Sequence, residues 1–158
     1  IMVALFSPLA GRVSDTIEPR VVASIGMAII SVGLALLAFV GNETSIVLIT
    51  IYLLLLGFGF ALFSSPNTNA VMSSVEKKLY GVASATLGTM RLTGQMFSMG
   101  IVMLIFSMMM GKTQITPEYY PKFLQSMQLA FSIFSALCVL GVFASLARGK
   151  VRNTPLTI

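Results

Sequence analysis

Histidine is absent from these 158 residues, cysteine occurs once, and only 9% of the chain is charged. Each scarcity removes a class of function. With Cys138 alone and no imidazole, neither an intrachain disulfide nor a Cys-based metal site can form. No Cys pair, His or buried acid couple is present to carry bond-making chemistry, so an enzyme, a cofactor and a metal centre are not expected. A soluble domain carries about 25% charge because it needs a wet surface. This chain has too few charges to coat a globule. Acids are rarer still: Asp15, Glu18, Glu43, Glu76 and Glu118 are the whole set, and each falls between apolar runs or at their edges.

What is there is hydrocarbon. Hydrophobic residues make up 56% of the chain and the mean hydropathy is +0.94. Runs of this length have to face lipid, so the fold class is all-α membrane and the lipid bilayer is a partner. The chain opens on Ile1-Met2-Val3-Ala4-Leu5-Phe6, already apolar, with no initiator Met, basic leader or cleavage site. It reads as the tail of a helix that begins elsewhere, and the chain is expected to be a fragment.

Hydropathy predicts a partial helix over 1–10 and four full spans over 21–40, 46–75, 81–110 and 124–147, with a tail over 148–158. The span 21–40 covers about 30 Å at 1.5 Å per residue, enough for the hydrocarbon core. The third run is predicted to be broken at Pro66, which lacks a backbone donor and clashes with the preceding turn. Pro117 and Pro121 are expected to hold the last helix back, and Tyr119 and Tyr120 suit a headgroup interface.

Basic residues alternate along the joints. Arg12, Arg20, Lys77, Lys78, Arg148, Lys150 and Arg152 fall on one side, seven of the ten, and Lys112 and Lys122 on the other, with Arg91 left inside a span. The positive-inside rule then makes the first and third joints and the C-terminus cytoplasmic. The net charge of +5 is spread between apolar runs and forms no single patch, which argues against nucleic acid. Asn42-Glu43-Thr44 matches a glycosylation acceptor, but in so short a joint chance explains it better.

Helices in lipid associate through close packing and interhelical hydrogen bonds, so small and polar residues mark protein-facing sides. Ser24, Ala28, Ser31, Ala35 and Ala38 share a face of one span, and Gln125, Gln128, Ser132 and Ser135 share a face of the last. Each is a packing seam or, second, a cavity lining. Ser84, Gly88, Arg91, Gln95 and Ser98 form a stripe on the 81–110 helix. Arg91 lies about 15 Å along it from Gly81 by helical rise. A guanidinium facing lipid at that depth costs from roughly 2.5 to well over 10 kcal/mol. It is expected to face protein or a watery cavity, as a functional charge or as a packing charge paired elsewhere. Phe60, Ser64, Asn67, Val71 and Ser74 share a face around Pro66. That suits either a moving half-helix or a static kink. No span holds a carboxylate, so a proton carrier, if one exists, is expected outside this sequence.

The joint Gly11-Arg12-Val13-Ser14-Asp15-Thr16-Ile17-Glu18-Pro19-Arg20 resembles the cytoplasmic loop motif of the major facilitator superfamily. Gly11, Asp15 and Arg20 match it, whereas Thr16 replaces a usual basic residue and Glu18 a frequent Gly. The stretch from Gly57 to Ala70, with Ser65-Pro66-Asn67-Thr68-Asn69, is similar to a helix of the fourteen-span drug:proton antiporter branch. Gly81-Val82-Ala83-Ser84, Met90-Arg91 and Gly94-Gln95 resemble the helix after it.

The resemblance implies the C-terminal part of a two-bundle transporter in the plasma membrane (the cell inner membrane if bacterial). Such a protein works by alternating access, and this part would pack on the missing N-terminal helices. Arg91, Gln95, Asn67 and Asn69 become substrate-cavity or coupling candidates. Gly11, Asp15 and Arg20 become a conformational-control loop, and Pro66 a helix kink. The expected activity is secondary active transport, as proton-coupled efflux of drugs or other hydrophobic or amphipathic compounds. The Met-rich stretch from Met96 to Met110 suits varied apolar shapes or, more simply, lipid. The alternatives are transport of an organic anion or metabolite, suggested by Arg91, and a membrane anchor or subunit that moves no solute.

Overall fold

The computed structural model describes residues 19–111 and 119–147, and all the regular structure there is helical. Four helices follow one another: α1 (Pro19–Ala38), α2 (Ile46–Ser73), α3 (Tyr80–Met110) and α4 (Tyr120–Ala147), with a 3-10 turn at Lys77–Leu79 before α3. All four are long and apolar enough to cross a membrane. A helix satisfies its own backbone groups, which lipid cannot do for it. The expected membrane helices 21–40, 46–75, 81–110 and 124–147 thus have counterparts, while 1–10, Gly11, Asp15 and the tail lie outside the described residues.

α1 and α4 both start ahead of the apolar runs expected from residues 21 and 124. α1 begins at Pro19 and α4 at Tyr120, so both prolines at those ends stand in a first turn. There a missing N–H breaks no intrahelical bond, which is why Pro121 leaves α4 free to start ahead of it. Pro66 does not interrupt α2 either: the helix is continuous from Ile46 to Ser73, and the Pro66 side chain is fully buried. α2 starts at an Ser45 cap whose hydroxyl accepts from the Val47 amide at 3.3 Å. α3 ends at Gly111, whose φ of 63° favours a residue without a Cβ.

α1 is the hub, packed along both α2 and α4, while α3 rests mainly on α4 and only lightly on α2. The α1–α2 contact is backbone to backbone. A Cβ on Gly26 would sit 2.6 Å from the Phe63 nitrogen and 2.8 Å from the Gly59 oxygen. The α1–α4 contact is held by hydroxyls. Ser24 and Ser145 pair at 2.8 Å, the Ser135 hydroxyl donates to the Ser31 carbonyl at 2.9 Å, and the Ser31 hydroxyl lies 3.1 Å from the Ser135 carbonyl. Gln128 Nε2 donates to the Val40 carbonyl at 2.8 Å, just past the end of α1. Close backbones and interhelical hydrogen bonds are what hold helices together when lipid removes the hydrophobic drive.

Candidate functional site

The two polar stripes of α1 and α4 are consumed by packing in part. Ser24 and Ser31 are buried against α4, and Gln128 and Ser135 reach α1, but Ala28, Gln125 and Ser132 are exposed. The Ser132 hydroxyl turns back to the Gln128 carbonyl at 2.8 Å. The turn between α1 and α2 uses its own threonine: the Gly41 amide donates to Thr44 Oγ1 at 2.9 Å. That hydroxyl has a structural role in the Asn42-Glu43-Thr44 match.

On α2 the polar residues cluster after the long apolar run. Thr68 Oγ1 donates to the Ser64 carbonyl at 2.9 Å, and the Ser73 and Ser74 hydroxyls return to the Ala70 and Val71 carbonyls at 3.2 and 2.7 Å. Hydroxyls that bond their own helix need no partner in lipid. Asn67 is half-buried and Asn69 exposed, and neither amide has a hydrogen bond among the described residues.

The stripe of α3 behaves differently. Ser84, Gly88, Arg91 and Gln95 are all exposed, and Ser98, half-buried, donates to the Gln95 carbonyl at 2.9 Å. Arg91 forms no ion pair or hydrogen bond among the described residues. The ion pair described there, Lys78 with Glu76 at 2.7 Å, is a solvent-side contact at the turn before α3. Beside the stripe, a one-sided hollow of about 560 Å³ is walled by Gly81, Val82, Ala85, Thr86, Thr89 and Met90, all of α3. Thr86 and Thr89 donate to their own helix at 2.9 and 3.0 Å, so the hollow has oxygen lone pairs and no free donor from them.

These residues supply a cation, two groups of amides and an open apolar wall. Asn67 and Asn69 on α2 share no hydrogen bond with Arg91 and Gln95 on α3. Among the described residues no His, Cys, Asp and Glu group could hold a metal ion. Gly11 and Asp15 lie outside the described residues, and Arg20 stands in the first turn of α1.

Sequence reasoning missed two features. One is the Gly26–Gly59 contact, for which the spacing of Gly26 and Gly33 was the available signal. The other is a cavity of about 260 Å³ between α3 and α4, lined by Val102, Phe106, Phe123, Met127, Phe131 and Phe134. Its α4 members recur at helical steps of three and four.

Comparison with known proteins gives a consistent set. Residues 1–156 match the Major Facilitator Superfamily profile. An uncharacterized transporter of Escherichia coli strain K12, YebQ, is 31% identical over 103 residues, which is 65% of this chain and 22% of that protein. The riboflavin transporter RibZ of Clostridioides difficile strain 630 is 24% identical over 91 residues, 58% of this chain and 20% of RibZ. The multidrug resistance protein Stp of Mycobacterium tuberculosis is 31% identical over 100 residues, 63% of this chain and 18% of Stp. The chain spans about a fifth of the length of these curated relatives. No solved structure matches it.

Proposed function

Because the chain belongs to the Major Facilitator Superfamily, we propose that it serves a secondary active transporter that exports drugs or other hydrophobic or amphipathic compounds by proton-coupled alternating access. The observation that carries this reading is the α3 stripe. A helix apolar enough to span the bilayer keeps Arg91 and Gln95 exposed on one face, their side chains without a hydrogen bond or ion pair among the described residues. Such a face is stable in a membrane only against protein, a solute or water.

The cargo class draws on the drug:proton antiporter resemblance and on two relatives, one named for multidrug resistance and one for riboflavin. In this reading Arg91, Gln95, Asn67 and Asn69 line the path, Pro66 lets α2 flex, and Gly11, Asp15 and Arg20 govern the change of state. The fourteen-span branch and a proton carrier outside these residues belong to the same proposal. The basic joints set its orientation, multi-pass in the plasma membrane with a cytoplasmic C-terminus.

The test is accumulation of chemically varied dyes and drugs in cells with and without the full-length protein. Lower accumulation that vanishes when the proton gradient is collapsed is expected. Equal accumulation across the panel rules the export reading out. A second reading, transport of an organic anion, is favoured by the exposed guanidinium, which can pair bidentately with a carboxylate. Anion uptake that is unchanged by Arg91→Ala excludes it.

A further inference from the structure

We infer that the α3–α4 cavity is a binding site for one acyl chain of an anionic phospholipid, with Lys122 meeting the headgroup. The cavity is walled only by hydrocarbon and thioether, from Val102 and Phe106 on α3 and Phe123, Met127 and Phe134 on α4. Phe106 and Phe123 meet edge to face at 5.4 Å between centroids, which fixes their rings. Ala130, buried and part of the lining, adds a single methyl to the wall. Water has no reason to enter, since a buried water needs polar partners. An apolar cavity of about 150 Å³ already accepts a benzene, and this one, at about 260 Å³, has room for a longer piece of hydrocarbon.

The charge at its end selects the occupant. Tyr119 stands one turn before Phe123 and on the same helical face. Lys122 Nζ lies over the Tyr119 ring, 5.6 Å from its centroid. Held on Tyr119, the cation stays at the N-terminal end of the α4 face that carries Phe123 and Met127. A side chain at the start of a membrane helix sits at headgroup depth, where an ammonium attracts a net negative headgroup more than a zwitterionic one in either leaflet. A groove that is all hydrocarbon along its length and cationic at its headgroup end matches a single amphiphile with an anionic head.

These 158 residues contain no tryptophan, so Phe134→Trp adds their one indole inside the cavity. The full-length protein is reconstituted in phosphatidylcholine vesicles containing a minor fraction of chain-brominated phosphatidylglycerol or chain-brominated phosphatidylcholine. Quenching is read as the difference from the unsubstituted protein. Leu129→Trp, two residues from Met127 on the exposed side of α4, serves as the boundary-lipid control, and Phe131→Trp repeats the measurement should Phe134→Trp disturb the fold.

The expected result is a preference of about fivefold for the anionic lipid at position 134, the effect of one basic residue near an anionic surface. Position 129 should show none, and Lys122→Gln should abolish the preference at 134. Equal quenching by both lipids at 134 means boundary lipid only and overturns the inference. Absence of quenching by either means that protein covers the cavity, and overturns it too. A preference that survives Lys122→Gln does the same.

Discussion

Gly26 on α1 and Gly88 on α3 occupy opposite situations. Around Gly26 the α2 backbone is so near that a Cβ would be 2.6 Å from the Phe63 nitrogen, whereas around Gly88 nothing stands within 4 Å. The same contrast runs along both helices: 39% of the most apolar window of α1 is buried inside the chain, against 6% for α3. α1 satisfies its small and polar residues on its neighbours, through Gly59, Ser145 and Ser135. α3 carries more, yet leaves Ser84, Gly88, Arg91 and Gln95 exposed. The charged, glycine-bearing face of α3 has no neighbour among the described residues. A helix locked backbone to backbone is suited to staying in place.

The widest separation between the two regions should come from adding one methyl to each glycine. Gly26→Ala drives a methyl into backbone that cannot rotate away, so a loss of about 3 kcal/mol is expected, at the upper end for overpacking. It is measured by the denaturation midpoint in mixed detergent. Gly33→Ala should be milder, about 1 kcal/mol, because its methyl would meet the Leu56 side-chain end at 2.7 Å. That collision can be relieved, and pairing the change with Leu56→Ala should recover part of the loss.

The hydroxyl contacts come next. Ser31→Ala and Ser135→Ala should each cost roughly 0.6 kcal/mol, the usual worth of an interhelical hydrogen bond in a membrane protein. Each hydroxyl bonds the other residue's backbone carbonyl, at 2.9 and 3.1 Å, and alanine keeps that carbonyl, so a double-mutant cycle on the same midpoint should return nearly additive losses. Coupling as large as either single loss would mean that the longer hydroxyl–hydroxyl contact of 3.2 Å carries the seam instead.

The smallest effect on folding belongs to α3. Gly88→Ala should leave the midpoint unchanged or raise it by up to about 1 kcal/mol, since alanine is the better helix former. Transport should nonetheless fall, because the methyl narrows the face beside Arg91. A midpoint drop as large as that of Gly26→Ala would erase the distinction between the two helices. A rise in stability with full transport would keep the distinction and remove α3 from the path.

Much of the fold is legible in the residues, and the reason is local. Ser45 caps α2 where an apolar run begins, and the Arg91 stripe follows from helical spacing alone. The start of α4 was misjudged because Pro121 reads as a barrier unless its place in the first turn is known. The face of α1 was legible only in part: Ser24 and Ser31 are buried as packing residues, while Ala28 is exposed. Periodicity assigns residues to a face and says nothing about how much of that face a neighbour covers.

Hydropathy and the need to satisfy every backbone group in lipid are properties of short stretches, so the amino-acid sequence alone determined four spanning helices and a charge within one of them. Partner choice is another matter. Ser24 meets Ser145 across 121 residues, and Gly26 meets Gly59, because rigid helices approach where both surfaces are small. That depends on the shapes of two faces together, and only the tertiary structure decided it. The same holds for the cavity under Phe106 and Phe123, which exists only once α3 and α4 lie side by side.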